Sequence, residues 1–111
     1  MPSKPALDLL PGTLDLLILK TLSTGSKHGY AIAEHLKLAS DDVLQVGESS
    51  LYPALQRLLL NGWVNAEWGA SENKRRARYY TLTVNGRKQL RGERDDFDTM
   101  VAAIRKILEA T

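Results

Sequence analysis

Hydrophobic positions between residues 48 and 64 fall on one side of a helix. In ESSLYPALQRLLLNGWV, Leu51, Leu55 and Leu58 recur at i, i+4 and i+7, with Ala54, Leu59 and Gly62 beside that stripe. The opposite side carries Ser49, Pro53 and Gln56, with Ser50, Tyr52 and Arg57 near its edges. Pro53 has no N–H and belongs in a first turn, which sets the N-cap at Ser50, or at Ser49 with one ladder bond forgone. Asn61-Gly62 supplies the stop, because glycine takes the left-handed conformation that ends a helix.

Two further helices precede this one. Pro11-Gly12-Thr13 introduces a segment running to about Ser23, ended by Gly25, with Leu14, Leu17, Ile18 and Leu22 as its main stripe. Leu16 and Leu19 lie elsewhere on its circumference, so the helix is apolar nearly all round and a second subunit is its expected cover. Residues 1–9 read as a frayed end. After the turn at residues 26–30, a second helix to about Leu38 buries Ile32, Ala33 and Leu36, and residues 39–47 cross to the third. Val46 is expected to form a one-residue strand against the hairpin beyond.

Past Gly62 the period changes from helical to two. Residues 64–68 (VNAEW) and 78–82 (RYYTL) alternate and flank GASENKRRA, a hairpin whose turn chemistry comes from Gly69, Ser71 and Asn73. Thr83 then caps a last helix from about Val84 to Ala110, roughly 40 Å long, with Gly86 permitting close packing near its start. Leu90, Phe97, Met100, Val101, Ile104, Ile107 and Leu108 follow helical spacing, interrupted by Arg94. This stripe outruns the domain it leaves, and the symmetric way to cover it is a homodimer. The fold class is therefore mainly α with a small β-hairpin: a winged helix-turn-helix over residues 1–83 and a long C-terminal dimerisation helix over residues 84–111.

Charge is distributed unevenly along the chain. The net charge is only +2. Residues 1–56 carry four Lys/Arg against six Asp/Glu, residues 57–91 eight against two, and residues 92–111 three against five. A basic middle between acidic ends is a footprint for a polyanion. Lys74, Arg75, Arg76 and Arg78 place four cations in five residues on or beside the hairpin tip. Ser49, Ser50, Tyr52 and Gln56, at the start of the third helix, are short or planar hydrogen-bonders suited to phosphates and base edges. A plain capping serine or a solvated charge run would account for each alone; for the four cations, hairpin placement and charge segregation favour DNA contact.

Other chemistry finds no support. The chain has no cysteine, which removes disulfides and thiolate zinc sites. His28 and His35 lack further ligands for a metal and suit capping or packing. Asp41-Asp42 and Asp95-Asp96 are surface or capping carboxylates, and no nucleophile elbow, phosphate loop or zinc-protease pattern occurs. An enzyme, a cofactor and a membrane span are not expected, and the chain is expected in the cytoplasm.

With these motifs in view, the sequence resembles the PadR family of winged-helix transcriptional regulators from about Leu10 to the C-terminus. The likeness rests on GTLDLLILKTL (residues 12–22) with HGY (28–30), SLYPALQRL (50–58) with NGWV (61–64), and RARYYTLTVNG (76–86). It implies a homodimer on duplex operator DNA, a repressor of the PadR type, with a single C-terminal helix making much of the interface as in the family's small subgroup. Ser49, Ser50, Tyr52, Gln56, Lys74, Arg75, Arg76 and Arg78 are its expected DNA contacts, and Leu14, Leu17, Leu90, Phe97, Val101, Ile104 and Leu108 its expected dimer contacts. Family precedent adds a flat hydrophobic or phenolic effector, for which Trp63, Phe97 and Met100 are candidates, although dimer core is the stronger reading of Phe97 and Met100. Ser49 stands where glycine is usual, Leu59 where an acidic residue is usual, and Trp63 where a smaller aliphatic is common; the first two leave DNA binding intact. The rival class is a winged helix that binds protein through the same surface.

Overall fold

The computed structural model describes residues 9 and 11–111; the frayed end expected over residues 1–9 lies outside them except for Leu9, which packs against the core. Four helices and a three-stranded sheet follow in the order α1 (Pro11–Leu22), β1 (Lys27–His28), α2 (Gly29–Ala39), α3 (Glu48–Leu60), β2 (Val64–Ala70), β3 (Arg76–Leu82) and α4 (Val84–Glu109). The strands are antiparallel in the order β1-β3-β2.

α1 is the centre of the domain rather than a surface waiting for a partner. Leu14, Ile18, Leu19 and Leu22 are all buried, and α2, α3, α4 and β3 of the same chain cover them. Leu14 is only 4% exposed. Its place is the domain's own core, which corrects the expectation that it faces a second subunit. Part of the cover over α1 comes from α4, whose Leu90 packs against the core.

Three local expectations change in the structure. Val46 forms no strand; it is half-buried against the core, and the third strand is β1, with Lys27 opposite Tyr80 and His28 opposite Tyr79. α3 begins earlier than its proline suggests: Gly47 is the N-cap, without a side-chain bond, so Ser49 and Ser50 lie in the first turn and Pro53 is inside the helix. The helix tolerates this because Pro53 is exposed, so its ring meets solvent and the carbonyl of Ser49, left without an amide partner, can be hydrated. The strands are also longer than the alternation shows, so Arg76 lies within β3 and only residues 71–75 form the tip.

Other details follow the sequence closely. Gly62 has φ +73°, the Gly62 N–H donates to Leu59 O and the Trp63 N–H to Leu58 O, which is a Schellman end. His28 caps α2, accepting the Ala31 N–H at Nδ1 (3.2 Å). Thr83 caps α4 by accepting the Gly86 N–H (2.9 Å) while its hydroxyl donates to Gly62 O (2.8 Å) and its own N–H to Trp63 O (3.0 Å). A side chain at Gly86 would overlap the Trp63 carbonyl, so wing and α4 meet backbone to backbone. Between α2 and α3, Asp41 and Asp42 take positive φ (53° and 67°), a conformation that aspartate tolerates better than most residues.

Candidate nucleic-acid interface

α3 divides cleanly into a buried and a presented side. Leu51, Ala54, Leu55 and Leu58 are buried, whereas Ser49, Ser50, Tyr52, Pro53 and Gln56 are exposed. Arg57, at the edge, is held in an ion pair with Asp15 of α1 (2.8 Å), so it fixes α3 against α1 and is not a free cation. Glu48 occupies the first turn and offsets the positive end of the helix dipole. This end of α3 therefore presents hydroxyls and an amide more than a bare helix terminus.

Tyr52 reaches across to α2. The ring lies over Gly29, the first residue of α2, where an added Cβ would stand 3.0 Å from the Tyr52 hydroxyl oxygen. Tyr52 remains 47% exposed. Its hydroxyl is thus aimed by the contact between α2 and α3 and still meets solvent.

The hairpin supplies the charge. Lys74 and Arg75 are at the tip, Lys74 with φ +60° and its N–H donating to Ser71 O (2.9 Å), while Arg76 and Arg78 stand on β3. All four are exposed. Tyr79 braces the strands: its ring lies on Gly69 and its hydroxyl donates to Ala70 O (2.8 Å). On the face toward α3, Arg76 lies over Trp68, 4.5 Å from the ring centroid, and Arg78 over Tyr80 at 5.9 Å. Burial pushes the Tyr80 phenol above its ordinary pKa, with Arg78 pulling partly the other way.

One cleft collects much of this surface. Gly29 and Tyr30 from α2, Tyr52 from α3, and Trp68, Arg76, Arg78 and Tyr80 from the wing line it together. Lys74 shares a neighbouring groove with Trp68 and Arg76. Ser50 faces another way, toward Leu14, Gln45 and Val46. Trp68 and Tyr30, both exposed here, were not singled out by sequence reasoning. Trp68 reads there as one more apolar position of a strand, and only its pairing opposite Arg78 reveals a solvent-facing ring.

The other expected residues are placed apart from this surface. Leu17, Leu90 and Trp63 are half-buried against the domain core. Phe97, Met100, Ile104 and Leu108 are exposed along α4, Met100 by 61%, with Val101 half-buried among them. Among the described residues no group of three metal-ligating side chains converges, and no helix is long and apolar enough to cross a membrane.

Residues 18–92 match the model of the transcriptional regulator PadR-like family. Among solved structures, a transcriptional regulator from Clostridium thermocellum is 30% identical, with TM-score 0.81 over 88% of this chain and 95% of that one. A PadR family transcriptional regulator from Eggerthella lenta is 29% identical, with TM-score 0.76 over 90% of this chain and 85% of that one. A protein from Streptococcus mutans is 28% identical, with TM-score 0.82 over 94% and 93% of the two chains.

Proposed function

Because the chain belongs to the PadR-like family of transcriptional regulators, we propose that it acts as a homodimeric, sequence-specific DNA-binding repressor. The observation that carries this reading is the shared cleft in which Tyr52 of α3 meets Arg76 and Arg78 of the wing. A helix that presents hydroxyls and an amide, beside a strand that presents guanidiniums, matches what duplex DNA offers: base edges within a groove and phosphates along its rim. In this reading Gln56 reads a base, Ser49 and Tyr52 meet sugar and phosphate, and Lys74 and Arg75 extend the contact along the backbone, whereas Ser50, turned toward Leu14, Gln45 and Val46, stays off the DNA. Gln56 pairs bidentately with adenine in the major groove.

Dimerisation is assigned to the exposed part of α4, where Phe97, Met100, Val101, Ile104 and Leu108 continue past the point at which Leu90 leaves the domain core. A contiguous apolar stripe on an exposed helix is costly unless covered. A flat hydrophobic or phenolic effector would act by entering this seam near Phe97 and Met100 and changing the separation of the two wings.

The test is a salt titration of duplex binding. Replacing Lys74, Arg75 and Arg76 together by Ala should weaken binding to every duplex. The slope of log K against log salt should fall by about 0.9 for each phosphate that is no longer neutralised. An unchanged slope would make the wing a solvated charge run and favour the protein-docking alternative.

A further inference from the structure

The wing face that looks onto α3 holds two arginines, each lying over an aromatic ring. Along β3, Arg76, Arg78 and Tyr80 alternate with Ala77 and Tyr79 and so share one face. Trp68, opposite Arg78 on β2, lies beneath the Arg76 guanidinium. At 60% exposed, Trp68 contributes little to the core, which on this strand is served by Val64. Among the described residues the one ion pair joins Arg57 to Asp15, so no carboxylate there accounts for how Arg76 and Arg78 are placed.

We propose that Trp68 is a positioning residue for contact with the DNA backbone, holding Arg76 beside Arg78 as a pair of guanidiniums facing one strand. The proposal rests on the reading that α3 and the wing bind duplex DNA. Two residues along a strand are about 7 Å apart, comparable to the spacing of neighbouring phosphates on one DNA strand. A guanidinium lying on a ring keeps its N–H edge free for a phosphate, and the ring restricts the side chain beforehand, so less freedom is lost on binding. Trp68 carries no charge itself. Its removal therefore lowers affinity while every phosphate keeps its cation, which separates a platform from a cation.

The experiment is a fluorescence-anisotropy titration of a labelled duplex of arbitrary sequence over a salt series, using the full chain. The proteins are wild type, Trp68→Ala, Trp68→Phe, Arg76→Ala and the Trp68→Ala/Arg76→Ala double variant. Trp68→Ala should bind about two- to fivefold more weakly with the salt slope retained. Trp68→Phe should recover most of the loss, Arg76→Ala should flatten the slope, and the double variant should be no weaker than Arg76→Ala alone. Wild-type affinity in Trp68→Ala, or losses that multiply in the double variant, would overturn the platform while leaving DNA binding intact. A wild-type protein without salt-dependent duplex binding would overturn both this proposal and the reading beneath it.

Discussion

Tyr80 shows how one side chain serves two surfaces. Its ring closes the core beneath the wing, with 4% of the residue exposed, while its outer face lies under Arg78. Burial raises the pKa of its phenol above the ordinary 10.0. The folded protein then keeps a proton that the unfolded chain releases, so stability is fully present below pH 10.0 and is lost as pH climbs through the folded value. Thermal unfolding of wild type and Tyr80→Phe compared across alkaline pH should diverge, with wild type losing stability faster above pH 10. Parallel curves would mean that the phenol ionises equally well in both states.

At the scale of elements, the junction between wing and last helix is the most constrained point in the fold. Thr83 ties Gly62 to the start of α4, and Gly86 lets that helix touch the Trp63 carbonyl. Gly86→Ala would force backbone apart from backbone, and we expect a loss of about 1–3 kcal/mol in chemical denaturation, the scale of overpacking. A change below about 0.5 kcal/mol, the usual range for neutral surface substitutions, would show that the contact relaxes freely. This junction was legible in the sequence because its pieces are local: a threonine cap, a glycine at a close approach and an Asn-Gly helix stop. The four helices and the hairpin were legible for the same reason, since periodicity reports on one element at a time. What escaped was non-local. β1 is two residues long and exists only because β3 offers it an edge, so in the sequence residues 27–28 read as part of a turn and the pairing strand is expected at Val46. Leu16 and Leu19 make α1 look too apolar for one domain because the packing of α2, α3, α4 and β3 around it leaves no mark on the sequence of α1. The start of α3 was misplaced because the proline rule assumes that an interior proline is too costly, and here Pro53 sits on the solvent side. In the site, residue types and spacing marked the cations and the hydroxyls, whereas Trp68 emerged only once its cross-strand neighbours were known.

At the scale of the molecule, core and stripe divide the labour. The domain buries its own core around α1, and α4 then carries Phe97, Val101, Ile104 and Leu108 away from it. In the full chain, Val101→Asp with Ile104→Asp should give a monomer in sedimentation that keeps its helical content. A stable dimer would place the interface elsewhere. In the proposed dimer, two α3 helices related by a two-fold axis would meet half-sites about one helical turn, or a multiple of it, apart. The most direct test is a binding selection from randomised duplexes, run with wild type and Gln56→Ala at one salt concentration. Wild type should select a two-fold-symmetric sequence, and Gln56→Ala should show a preference relaxed by roughly 1–3 kcal/mol at one position in each half-site. No enriched sequence, or an identical preference in the two proteins, would contradict sequence-specific recognition through α3.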